Sequence, residues 1–144
     1  MYKHILLATD GSASAEHAAR QAFELARIHG GQVTAVYVVD PYPYIGIGET
    51  NPMGFQSYMS AAQDAAAHAF AHLNELAAQL GAPLKTWLIE DAQVVQGILL
   101  VADEMQADLI IVGSHGRSGV ERLVLGSVAH KVISQSTRPV LVVR

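Results

Sequence analysis

Apolar residues follow two rhythms along this chain, and their alternation lays out the fold. Short, nearly continuous apolar runs stand at 5–8, 33–39, 84–89, 109–112 and 139–143. Runs of that length, rich in Val, Ile and Leu, suit strands buried on both faces of a parallel sheet. Between most of them the apolar spacing changes to three and four. Ala15, Ala19, Ala22 and Ala26, backed by Phe23 and Leu25, predict a helix over 13–29. Ser12 or Ser14 would cap its start, and Gly30-Gly31 ends it. Ala62, Ala66, Ala69, Leu73, Leu76 and Leu80 predict a long helix over 57–80, stopped by Gly81 and Pro83. Val95, Ile98, Ala102 and Met105 mark a third helix, and Gly126-Ser127 opens a fourth. Residues 41–55 hold three prolines and three glycines without periodicity, which reads as a mobile loop at the ligand edge.

Strands alternating with helices imply βαβ units and a mainly parallel sheet, with right-handed crossovers putting helices on both faces. The fold class expected is therefore α/β, a three-layer open sheet. In such sheets ligands sit beyond the carboxyl ends of the strands, at the point where strand order reverses. The first strand ends at Asp10, the second at Val39-Asp40 and the fourth at Gly113, all on that edge.

Length and composition narrow this further. A chain of 144 residues is expected to form one domain, spanning 1–144. With 51% hydrophobic and 15% charged residues it is not a disordered chain. Its net charge of −4 supplies no basic face for nucleic acid or for an anionic membrane. The absence of cysteine removes disulfides and thiolate chemistry. No signal-peptide layout and no apolar run near the roughly 18 residues of a membrane span is found, so a cytoplasmic location is expected.

The candidate chemistry lies in 107–128. The apolar run there ends at Gly113, and Gly116, Gly119, Gly126 and Ser127 follow. Glycines let the backbone approach an anion closely, and Gly126-Ser127 would present helix N-terminal amides to the same place. Neither the string G-x-x-x-x-G-K-[ST] nor G-x-G-x-x-G occurs, so the P-loop and dinucleotide folds are disfavoured by their own signatures.

The pattern Gly113-x-x-Gly116, nine residues, then Gly126-Ser127 resembles the nucleotide-binding signature of the universal stress protein family. The opening Lys3-His4-Ile5-Leu6-Leu7-Ala8-Thr9-Asp10-Gly11-Ser12 is similar to that family's first strand and turn, the run from Ala107 to Gly116 to its fourth strand, and 139–143 to its last. The resemblance covers the full length. It implies a five-stranded parallel sheet in order 3-2-1-4-5, of the adenine nucleotide alpha hydrolase-like kind, and usually a homodimer through the C-terminal strand. It also implies ATP bound by the branch that keeps the glycine motif, as this chain does; the chemistry of a triphosphate adds Mg²⁺, held by phosphate oxygens and few protein ligands. The function implied is that of a nucleotide-dependent regulator or sensor in the stress response. Slow ATP hydrolysis and a ligand-free dimeric interaction module are the alternatives. No catalytic residue is assigned.

Carried over by position, Ala8, Thr9 and Asp10 would lie on the adenine or ribose side, with Val38 and Val39 meeting adenine from the second strand. Gly113, Ser114, His115, Gly116 and Arg117 would line ribose and phosphates, while Gly126, Ser127 and Val128 would hold the phosphates. The Ser127 hydroxyl and amide can both donate to an oxyanion. Ala92-Gln93-Val94 departs from the Gly-Asp-Pro that this family commonly carries before its third helix.

Plainer roles compete at several positions. Asp10 can accept from amides of its own turn, His115 reads as an exposed loop histidine, Arg117 can pair with a phosphate or simply be solvated, and Asp103, Glu104 and Asp108 read as solvated helix-end charges. His68 and His72 have a metal-compatible spacing but lack the glutamate of H-E-x-x-H, and are read as an exposed helical face. Ser114, His115 and Asp10 do not form a nucleophile elbow. Tyr42, Tyr44, Phe55 and Tyr58 are candidates to cover a base or to pack on a partner.

Overall fold

A computed structural model describes residues 1–42, 52–116 and 125–144. The chain alternates strand and helix: β1 (His4–Ala8), α1 (Ala13–His29), β2 (Gln32–Val38), α2 (Pro52–Leu80), β3 (Leu84–Ile89), α3 (Val94–Glu104), β4 (Leu109–Gly113), α4 (Ser127–Gln135) and β5 (Val140–Val143). The strands form one parallel sheet in the order β3-β2-β1-β4-β5. Both the expected order and the expected helical layers are present.

Alternation along each strand divides the core between the layers. Ile5, Leu7, Val33, Ala35, Leu109 and Ile111 face α1 and α2, where they pack with Phe23, Leu73 and Leu76. Leu6, Val36, Ile110 and Val112 point the other way, onto Val95, Ile98 and Val101 of α3 and Ala129 and Val132 of α4. This is why the central strands β1, β2 and β4 read as continuous apolar runs, both faces being covered, whereas Lys85 and Thr86 of the edge strand β3 are exposed.

α1 begins as its sequence indicates. The Ser12 hydroxyl accepts from the Ala15 amide, and Gly30, with φ +64°, closes the helix. α2 differs from expectation. It starts at Pro52, not near Ser57, so the last residues assigned to the loop belong to a helix. Proline at the first helical position lacks only an N–H that would have had no partner, and its fixed φ favours the first turn. Residues 43–51, with Tyr44, lie outside the described residues.

Of the three charges read as solvated, Asp103 and Glu104 are exposed and Asp108 is structural. Asp108 Oδ2 accepts from the amides of His4, at 2.8 Å, and Lys3, at 2.7 Å, tying the start of β4 to the start of β1. Arg138 donates to the Ala107 carbonyl at 2.7 Å and to Asp103 at 3.3 Å. The hydrogen bond from the His4 amide, with that from Lys3, lowers the Asp108 pKa. A lowered carboxyl pKa contributes stability above its unfolded value near 4 and loses it as pH falls through the folded value. Asp108→Ala should therefore be less stable than the parent at pH 6, with the gap narrowing as pH is lowered beneath about 4. Denaturant midpoints at the two pH values check this.

One glycine inside a helix has a packing reason. A Cβ on Gly97 of α3 would lie 2.8 and 2.9 Å from the two methyls of Val38. A β-branched side chain at a strand end yields little. Overpacking costs about 1–3 kcal/mol, against a gain of about 1 kcal/mol in helix propensity. Gly97→Ala is therefore expected to destabilise by about 1 kcal/mol, read from the urea midpoint.

Candidate functional site

The carboxyl ends of β1, β2 and β4 open into a crevice of about 890 Å³ between the two helical layers. That volume lies within the roughly 300–1,000 Å³ of small-molecule sites. Its floor is Ala8, Thr9 and Asp10 after β1, Val38, Val39 and Asp40 at the end of β2, and Val112 and Gly113 of β4. Tyr58, Ala61, Ala62 and Ala65 of α2 form one wall, their spacing of three and four placing them on one stripe. Val94 and Ile98 of α3 and residues 125–131 at the start of α4 form the other.

The end near β2 is apolar and aromatic. The Tyr58 hydroxyl donates to the Asp40 carbonyl at 2.9 Å, and Tyr42 packs edge-on against both Tyr58, at 5.4 Å, and Phe55, at 5.7 Å. Burial, with the nearby Asp40 charge, raises the Tyr58 pKa, so the phenol stays protonated. Val94 enters the crevice from the turn that departs from the family pattern, whose Asp91 has φ +56°.

The end near α4 is built from amides. Its N-cap is Gly126, which offers no side-chain cap. The first intrahelical bond runs from the His130 amide to the Gly126 carbonyl, so the amides of 127–129 have no intrahelical acceptor. Helix N-termini of this kind attract anions. Gly126 also closes the turn: its amide donates to the Ser114 carbonyl at 2.6 Å, and a Cβ there would stand 3.0 Å from that oxygen and from His115 Cα. The Gly126 amide is thus engaged within the protein, leaving Ser127 and Val128 as the donors that face outward.

Ala8, Thr9, Asp10, Val38, Val39, Gly113, His115, Gly116, Gly126, Ser127 and Val128 all line the crevice. Ser114 does not. It is buried beneath the turn, its amide bonded to the Val143 carbonyl and its hydroxyl 3.0 Å from His115 Nδ1. That contact holds the His115 ring, which is half-buried and not the exposed loop histidine expected. Arg117 lies outside the described residues. Asp10 Oδ1 accepts from the Ser12 amide at 2.9 Å, the turn role weighed for it. Its Oδ2 faces Gly116, where a Cβ would lie 3.0 Å away. His68 and His72 are exposed on α2, with His72 Nε2 3.3 Å from Glu16 of α1.

Among the crevice residues that the sequence does not assign to the site are Asp40, Val94, His130 and Lys131. Only the crossing of α3 and α4 over the strand ends brings the last three to the site.

A family model, the universal stress protein family, matches residues 1–144. The chain belongs to that family. Universal stress protein MJ0531 of Methanocaldococcus jannaschii is 33% identical over all of this chain and 83% of its own length. Among solved structures, universal stress protein UspA from Lactobacillus plantarum superposes with a TM-score of 0.83 at 27% identity, covering 99% of this chain and 98% of that one. A universal stress protein in complex with cAMP gives 0.73 at 26%, covering 99% and 97%. The universal stress protein from Archaeoglobus fulgidus in complex with dAMP gives 0.69 at 27%, covering 99% and 98%. Universal stress proteins with this fold thus include complexes with adenine nucleotides.

Proposed function

We propose that the crevice binds an adenine nucleotide, ATP with Mg²⁺ being the ligand it suits best, and that the protein is a cytoplasmic, nucleotide-dependent regulator in the stress response. The observation carrying this reading is the meeting of an apolar end at β2 with the uncapped N-terminus of α4, in one crevice at the reversal of strand order. The base would lie between Val38, Val39 and the alanine stripe of α2. The ribose would cross Asp10, and the phosphates would meet Gly113, His115, Gly116 and the amides of Ser127 and Val128. The cAMP and dAMP complexes of relatives support an adenylate as the ligand class.

Asp10 and Asp40 are the carboxylates that line the crevice among the described residues. Mg²⁺ would be held chiefly by phosphate oxygens, as is usual for this hard and reluctantly dehydrated ion, and would neutralise their charge. Binding rather than turnover is the reading favoured. The Ser114 hydroxyl is buried against His115, and Asp10 Oδ1 is committed to its own turn. Ligand binding would favour the conformer whose strand-end turns are ordered around it, by the differential affinity of the two states. β5 ends the sheet with four half-buried apolar residues, and pairing of two copies along it would cover that edge. A homodimer is accordingly part of the proposal.

Equilibrium dialysis against ATP tests the reading. Nucleotide retained at submillimolar free concentration is expected, and none retained at millimolar concentration would overturn it. Sedimentation of the purified chain tests the dimer, a monomer at micromolar concentration being the contrary result.

A further inference from the structure

We propose that Lys131 is the group by which this crevice selects nucleoside polyphosphates over monophosphates. The proposal rests on the nucleotide reading above and adds a specificity residue to it. Lys131 lines the crevice, and among the described residues that do so it is the one permanent cation. The other described cations of known contact are spent elsewhere. Lys3 Nζ donates to the His29 carbonyl at 2.6 Å, Arg20 and Arg27 pair with Glu16 and Glu24, and Arg138 serves Ala107 and Asp103. Lys131 is exposed and has no carboxylate partner among the described residues.

Helix geometry aims it. Lys131 follows Ser127 by four positions, which places both on one face of α4, and Cα–Cβ bonds tilt toward a helix's N-terminus. The long side chain therefore lies back over the turn that carries the outward amides of Ser127 and Val128. Sheet order sets what it meets there. A base seated at β2 must pass β1 to reach β4, two steps of about 4.8 Å each. Roughly one nucleoside monophosphate spans that path, so further phosphates extend along the start of α4, toward Lys131.

Charge gives the site a need for it. Asp40 lines the same crevice and opposes a polyanion, while the helix amides bring only partial positive charge. Each added phosphate raises the demand for a full cation, and an ammonium at this place supplies it as a point charge.

The test compares ATP and AMP binding by equilibrium dialysis for the parent chain, Lys131→Gln, Lys131→Arg and a control, Lys85→Gln, on the far strand β3. Lys131→Gln is expected to lose about tenfold in ATP affinity and less than about twofold for AMP, a charge-assisted contact being of that size. Lys131→Arg should stay within about threefold of the parent for both ligands, and Lys85→Gln should match it. Higher salt should narrow the gap between parent and Lys131→Gln. Equal loss for ATP and AMP, no loss for either, or the same loss in Lys85→Gln would overturn the role of Lys131 while leaving nucleotide binding intact. A parent chain that retains neither nucleotide would overturn both.

Discussion

Ala62→Trp is expected to lower ATP affinity by on the order of a hundredfold, about 2.7 kcal/mol of binding free energy, with a fall of only a few degrees in melting temperature. Ala62 sits on the crevice stripe of α2 with Tyr58, Ala61 and Ala65, facing the ends of β1 and β2. Alanines there leave a slot, and an indole would fill it. The position is half-buried at the rim, so the larger ring has room to point into the crevice without displacing the sheet. Ala62 packs only at the edge of the Tyr37, Val39 and Ala66 cluster, so repacking there is expected to cost about 1 kcal/mol, a few degrees in Tm. Isothermal titration with ATP, alongside a thermal melt, separates the two effects. Unchanged affinity would mean that the base does not lie in the slot. This variant is a cleaner probe than the glycines of the loop. A Cβ on Gly113 would stand 2.5 Å from Ser14 Oγ and 3.0 Å from the Ser14 carbonyl carbon. A larger residue at Gly113 or Gly126 would thus disturb the fold whether or not a nucleotide binds.

Phe23→Ala is expected to cost about 3–5 kcal/mol of folding stability, and roughly 10–15 °C in Tm. Phe23 is fully buried in α1, within the cluster that joins Ile5, Leu7, Val33 and Leu73. The small alanines around it, Ala18, Ala19, Ala22 and Ala26, bring α1 close to the sheet, so little can collapse into the space an aromatic ring leaves. Native stabilities are about 5–15 kcal/mol, so a single truncation here consumes a large share. Calorimetry reads the loss, and a fall below about 1 kcal/mol would contradict the packing. Because Phe23 lies away from the crevice, the folded fraction should retain parental affinity for ATP.

The sheet was legible because its central strands β1, β2 and β4 are buried on both faces and announce themselves as unbroken apolar runs. Ser12 and Gly30 marked the ends of α1 by local chemistry alone. The start of α2 was not legible, since Pro52 and Gly54 resemble breakers until the chain around them is seen to be helical. Asp108 looked like one more helix-end charge because the amides it binds lie more than a hundred positions earlier. Within the crevice, the strand-end residues could be placed from sheet topology and the glycine motif. Ser114 could not, because burial under a turn depends on Val143 and Gly126 closing over it. Lys131 was missed for a related reason. A lysine in a short helix looks like solvated surface, and it lines the crevice only because α4 starts beside the end of β4.

The proposed nucleotide runs from the end of β2, across β1 and β4, to the first turn of α4. Titrating isotope-labelled protein with Mg²⁺-ATP and following backbone amide resonances tests this residue by residue. Saturable shifts are expected at Val38, Val39, Gly116, Ser127 and Val128, with the C-terminal half of α1 left unmoved. Resonances that stay fixed along this edge at millimolar ATP, or that move only elsewhere on the molecule, would contradict it.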